Sequence, residues 1–147
     1  MTEIQGDLLE IKEGIIFHQV NCVGVTGGLA GALRRKWPEA FEPYLEECEV
    51  RSSGPLGLCF FGQSGDVFIG HVFGQIRPGP NTDLEQVDSA LSVAAYQFKC
   101  KPLLNGLATY FPYKMGCGLG GGNWEEYRAV IEKHFPNAII VRKPGYD

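Results

Sequence analysis

Short apolar runs alternate along the chain with longer stretches in which apolar positions recur every three or four residues. GIIFHQVN (14–21) is apolar over most of its length, as a strand covered on both faces of a sheet has to be. EIQGDLLEI (3–11) precedes it and reads as a first strand. LGLCFFGQ (56–63) and DVFIGHVFGQ (66–75) are β-branched or aromatic runs flanking Ser64, Gly65 and Asp66, which predicts an antiparallel hairpin. GLATYFPY (106–113) and NAIIVRK (137–143) complete six strand signals.

Between them lie helical patterns. CVGVTGGLAGALRRKW (22–37) passes from a glycine-rich turn into a helix that Pro38 interrupts, and EAFEPYLEECEV (39–50) resumes it with Pro43 near the start, where proline is tolerated. Thr82 and Glu85 predict a capping box for a long helix carrying Leu84, Val87, Leu91, Ala94 and Phe98 on one face. Asn123 is placed to cap WEEYRAVIEKHF (124–135). Strands alternating with amphipathic helices, plus one hairpin, predict a three-layer α/β/α domain with a central mixed sheet of six strands, spanning 1–147 as one unit.

Two stretches break the pattern with glycine: residues 24–31 and 116–122, each after a strand and before a helix. Such a cluster serves either as a flexible turn or as a cradle whose bare N–H groups converge on an anion beside a helix N-terminus. Neither the dinucleotide fingerprint nor the Walker lysine pattern is present. In open α/β sheets ligands bind where loops leave the carboxyl ends of strands, so the two loops are expected to wall one cleft.

Composition narrows the classes. A 147-residue chain with 44% hydrophobic residues is globular, and no apolar run approaches the length of a membrane span. The net charge of −4, with no basic run, argues against gripping long nucleic acid by its phosphates. The N-terminal stretch lacks a secretory pattern, so a cytoplasmic protein, acting as a monomer, is expected. Cys22, Cys48, Cys59, Cys100 and Cys117 form no CxxC pair, which predicts free and mostly buried thiols and no metal site or cofactor. Cys117, inside a glycine loop, is the one candidate nucleophile among them.

Four segments in this order, GDLL (6–9), HQVNCVGVTGGLAGAL (18–33), IGHVFGQ (69–75) and PYKMGCGLGGGNWEE (112–126), resemble the macrodomains that bind ADP-ribose, over nearly the whole chain. The likeness is closest to the branch holding the yeast ADP-ribose-1″-phosphate phosphatase, the human terminal ADP-ribose glycohydrolase and small phage and bacterial members. It implies that Asp7 accepts a hydrogen bond from the adenine amino group beside the backbone of Leu8, and that Asn21 holds the distal ribose. It further implies that Gly27, Gly28, Leu29 and Ala30 approach the distal ribose and diphosphate, and that Gly116, Cys117, Gly118, Leu119, Gly120 and Gly121 wrap the diphosphate by backbone N–H groups. Cys117 then contributes backbone rather than a thiolate. A turn-capping role stands as the alternative for Asp7.

Binding and catalysis are separate questions. The glycohydrolase branch links its reaction to a lysine and to an aspartate in the second glycine loop; here Gly120 stands at the aspartate's place, and Gln75 and Arg77 follow VFG without an obvious lysine. His18, three residues before Asn21, matches the phosphatase branch and is the candidate general acid or base, with a core role as its alternative. His71 carries the same ambiguity, and Asp83 is a second candidate acid that a helix cap explains as well or better. His18 and Asn21 fall on opposite faces of a regular strand, so both reach one site only if the strand bends near Val20. The resemblance therefore implies a binder of ADP-ribose or ADP-ribose-1″-phosphate that acts as a phosphatase; the alternatives are a hydrolase freeing ADP-ribose from protein or a nucleic-acid end, and a non-catalytic reader.

Overall fold

The computed structural model describes residues 1–51 and 54–145. Its strands are β1 (Thr2–Gln5), β2 (Gly14–Asn21), β3 (Cys59–Ser64), β4 (Val67–Gln75), β5 (Thr109–Pro112) and β6 (Ile139–Arg142). Its helices are α1 (Gly28–Lys36), α2 (Glu42–Arg51), α3 (Leu84–Cys100) and α4 (Trp124–His134), with 3-10 turns at Leu8–Glu10 and Pro38–Phe41. One sheet runs in the order β1-β6-β5-β2-β4-β3, parallel throughout except for β3, which returns antiparallel to β4. The expected mixed six-stranded α/β/α fold is present, hairpin included. Among the described residues no helix is long and apolar enough to cross a membrane.

The alternation of β2 sorts the two cores. Ile15 and Phe17 enter the cluster formed with α3 and α4, and Ile16 and Val20 enter the cluster formed with α1 and α2. Phe17 stacks on Phe111 at 4.6 Å and touches Phe135 at 5.0 Å, a burial that stabilises by about 2–3 kcal/mol. Its ring occupies the space where a Cβ on Gly70 would stand, 2.5 Å from Phe17 Cδ1, which is why the neighbouring strand carries glycine there.

Three sequence expectations change. The first strand ends at Gln5, because Asp7 turns the chain by accepting a hydrogen bond from the Leu9 N–H at 2.9 Å and starting a 3-10 turn. The cap of α3 is Asp83, whose carboxylate accepts from the Glu85 and Gln86 N–H groups, while Thr82 faces inward. Of the thiols, only Cys22 and Cys59 are buried; Cys48 on α2 and Cys117 in the second glycine loop are half-buried, and Cys100 is exposed, since the last turn of α3 leaves the core.

Chain direction now fixes one edge of the sheet. β2 leads through α1 and α2 toward the β4-β3 side, whereas β5 leads through α4 to β6 on the other side, and β2 and β5 are parallel neighbours. Their carboxyl ends form a topological switch point, the place where such sheets open a crevice.

The antiparallel edge is keyed by Gly62, where a Cβ would lie 1.8 Å from the Ala40 carbonyl oxygen. Gly62→Ala is expected to lower stability by about 1–3 kcal/mol, read as a shift in the urea midpoint, whereas Gly65→Asn in the hairpin turn, with open space around it, should cost far less.

Candidate functional site

The first glycine loop is organised by Asn21. Its Oδ1 accepts from the Val23 N–H (3.1 Å), the Val25 N–H (3.3 Å) and the Tyr44 hydroxyl (3.1 Å), and its Nδ2 donates to the Val25 carbonyl at 2.9 Å. The β2–β4 register shifts between Val20 and Asn21, the bend the strand needs to bring this side chain round to the α2 side. The loop ends on Gly27, which gives α1 no side-chain cap, and the first turn of α1 carries no acidic residue. By contrast α3 and α4 are closed by Asp83 and Asn123. An uncapped helix start at a switch point presents free N–H groups and a partial positive charge.

The second loop turns on three left-handed residues, Lys114 (φ 62°), Gly116 (φ 74°) and Gly121 (φ 79°). The Cys117, Gly121 and Gly122 N–H groups are spent inside the loop on the carbonyls of Lys114, Gly118 and Gly116. Among the described residues, no hydrogen bond engages the N–H groups of Gly118, Leu119 and Gly120, and the Leu119 side chain is 86% exposed. A Cβ at Gly27 or at Gly118 would meet nothing within 4 Å, so both loops face open space. The residues 76–83 flank this loop: the Thr82 N–H donates to the Gly120 carbonyl at 3.1 Å, and Pro80 lies against Gly121. An uncapped helix start and a run of unengaged backbone N–H groups thus stand on adjacent strand ends.

No family model matches the chain. A curated protein of Aspergillus fumigatus named ADP-ribose 1″-phosphate phosphatase is 40% identical, covering 99% of this chain and 95% of its own. This chain is a macrodomain. A Meyerozyma guilliermondii protein of the same name is 28% identical over 91% of the macrodomain and 93% of its own length. Among solved structures, the macrodomain of Mycobacterium tuberculosis DarG superposes with a TM-score of 0.77 at 26% identity, covering 97% of this chain and 96% of that one.

Across the same edge of the macrodomain, Asp7 follows β1, which lies beyond β6 and β5 from the switch point. At about 4.8 Å per strand it stands roughly 12 Å from the loops, leaving room for a nucleoside between. One of its oxygens caps the turn; the other lies 4.0 Å from Lys143 Nζ, with the side chain partly open to solvent. Leu8 is buried in the α1/α2 core, so only its backbone is available to a ligand. Leu29 is exposed at the start of α1, and Ala30 is half-buried behind it. Burial pushes the Cys117 thiol up to about 11, opposed by Lys114, which leaves it a poor nucleophile. A hollow of about 290 Å³ lies between the first loop and α2, bounded by Val23, Gly24, Leu45 and Cys48.

His18 does not join these residues. It is 2% exposed, packed on Phe41 and facing His71, with which it pairs through Nε2 and Nδ1 at 2.9 Å. The tautomers follow from the far end: His71 Nε2 lies 2.8 Å from the Ala40 carbonyl and must donate to it, so His71 Nδ1 accepts and His18 Nε2 donates. His18 Nδ1 is left as a buried acceptor without a partner. The candidate acid or base is therefore a core residue: it shares the α1/α2 side with Asn21, but it lies three residues back from the strand end, covered by Phe41 and held against His71.

What sequence reading missed is the polar group on the other face: Gln19, Gln75, Thr82 and Tyr127, joined under the second loop. The only sequence signal was Gln19 itself, a polar side chain inside an apolar run.

Burial holds both imidazoles neutral, lowering His71 to about 4 and His18 well below its usual value, with the neighbouring His71 adding to the latter shift. Unfolded histidines take protons below about pH 6.5 that the folded pair refuses. Stability is then full above that pH and falls as the pH drops toward about 4, by roughly 1.4 kcal/mol per pH unit for each imidazole. Urea denaturation at pH 7, 6 and 5 is expected to show this slope, and a His18→Leu/His71→Leu variant should flatten it.

Proposed function

We propose that this macrodomain binds ADP-ribose along the carboxyl edge of its sheet and hydrolyses ADP-ribose 1″-phosphate to ADP-ribose and inorganic phosphate. The observation that carries the reading is the pair of backbone anion sites on neighbouring strands: the uncapped start of α1 and the unengaged N–H groups of Gly118, Leu119 and Gly120. A diphosphate spans adjacent strand ends, and Asp7 stands a nucleoside's reach away to accept from an adenine amino group. The fungal relatives, whose names carry this phosphatase activity, support the substrate.

The chemistry available is electrostatic. The N–H groups of the first loop and the positive end of α1 stabilise charge developing on a phosphoryl group at the distal ribose while water attacks phosphorus and the sugar oxygen leaves. Asn21 acts by shaping the loop, its amide being engaged with Val23, Val25 and Tyr44. The burial of His18 favours one alternative, a reader that holds ADP-ribose without turning it over. Phosphate release from ADP-ribose 1″-phosphate, measured beside ADP-ribose calorimetry, separates the two: binding without release leaves the reader, and no binding removes both.

Wild-type protein is expected to bind ADP-ribose with a Kd in the micromolar range, about 8 kcal/mol. Gly118→Val should fold normally, since its Cβ has free space and the backbone there is not left-handed, and should weaken binding about tenfold or more by filling the diphosphate's place. Asp7→Ala should cost about 1–3 kcal/mol of affinity and about 1 kcal/mol of stability through the lost cap, the two readable separately by calorimetry and thermal denaturation.

A further inference from the structure

Beneath the second glycine loop, three side chains close a ring. Gln19 Nε2 lies 2.9 Å from Thr82 Oγ1, the Tyr127 hydroxyl lies 2.6 Å from Gln19 Oε1, and Thr82 Oγ1 contacts the Tyr127 hydroxyl. An amide nitrogen only donates and an amide oxygen only accepts, so the directions are determined. Gln19 donates to Thr82, Thr82 donates to Tyr127, and Tyr127 donates back to Gln19. The second Gln19 N–H goes to Gln75 Oε1 at 2.6 Å, and Gln75 Nε2 in turn donates to the Arg77 and Gly79 carbonyls. Each hydroxyl and amide hydrogen of this group therefore has an acceptor. Tyr127 is 1% exposed, and burial raises its hydroxyl to about 12, so the ring keeps its protons across the physiological range.

The ring also accounts for two of the glycines above it, Gly116 and Gly122. A Cβ at Gly116 would lie 2.6 Å from Gln19 Oε1 and from the Tyr127 ring and one at Gly122 2.5 Å from Tyr127, while one at Gly120 would meet the Gly116 carbonyl oxygen at 2.7 Å and then Gln75 Oε1 at 3.1 Å. Gly118 alone of these four has open space. The unengaged N–H groups of Gly118, Leu119 and Gly120 are thus bracketed by residues seated on the ring, and Thr82 ties the 76–83 loop to Gly120 by its own N–H.

We propose that the Gln19–Thr82–Tyr127 ring is the positioning device of the anion cradle: it orients the peptide planes of residues 118–120 before ligand arrives, so that ordering the loop costs nothing at binding. The inference rests on the ADP-ribose reading for its ligand, and it assigns diphosphate affinity to three side chains that do not touch the ligand. A closed ring acts as a unit, so breaking it at one member releases the whole.

The test is ADP-ribose calorimetry on Tyr127→Phe, Thr82→Val, their double variant and Thr82→Ser, with amide hydrogen exchange over residues 116–122. Tyr127→Phe and Thr82→Val should each raise the Kd about tenfold, the double variant no further than either, and exchange in the loop should quicken. Thr82→Ser, which keeps the hydroxyl, should bind like wild type. If Tyr127→Phe does not fold, the two Thr82 variants decide by themselves. Wild-type affinity in Thr82→Val, or equal weakening in Thr82→Ser and Thr82→Val, overturns the proposal. Wild-type protein that binds no ADP-ribose overturns the functional reading instead, and unchanged loop exchange in Tyr127→Phe then overturns the ring independently.

Discussion

The parallel pairing of β2 with β5, through Ile15 with Thr109 and Ile16 with Tyr110, is the constraint on which the cleft depends. These two strands are far apart in sequence, and their following helices leave toward opposite sides of the sheet. Side by side, their ends have no helix crossing directly over the gap, and the loops that start there can approach a common ligand. Any other neighbour for β2 at this edge would separate the loops by a strand or more. The stacked Phe17 and Phe111 rings, one on each strand, secure that pairing from within the α3/α4 core.

Either side of this junction, polar side chains within the fold do two kinds of work. On the α1/α2 face His18 and His71 form a short neutral chain ending on the Ala40 carbonyl, which fastens the turn before α2 to the sheet but leaves one nitrogen unpaired. On the α3/α4 face the Gln19 group is fully paired and sits under a loop. Tyr44 links the first face to the ligand side, stacking on His71 while donating to Asn21. The first glycine loop is therefore shaped by a buried tyrosine hydroxyl paired with the Asn21 amide, and the second lies over a tyrosine hydroxyl paired with the Gln19 amide. This suits the proposed site, whose polar groups are backbone N–H groups and whose geometry is set by peptide-plane orientation.

The unequal capping of the helices follows the same logic. Asp83 and Asn123 close α3 and α4 with their own side chains, whereas α1 begins on Gly27 and leaves its N–H groups to whatever occupies the cleft. A self-capped α1 would gain stability on the order of 1 kcal/mol but would no longer offer free N–H groups to an anion.

Much of this was legible along the chain. Apolar runs and helical spacing located the six strands and four helices, since local periodicity reports which face of an element is buried, and ordered glycine motifs pointed to the macrodomain family. Boundaries shifted where side chains answered to distant partners: Thr82, read as a cap, turns inward to Gln19 and Tyr127, and Asp83 takes the cap. The sequence by itself determined the alternation of elements and the places where backbone must be bare. Only the tertiary structure decided that His18 faces His71 in the core, that Asn21 serves its own loop, and that Gly116 and Gly122 yield space to side chains while Gly118 yields it to solvent. Those outcomes depend on which residues meet across the sheet and between loops, and a glycine's letter is the same whether the space beside it is filled by tyrosine or left for a ligand.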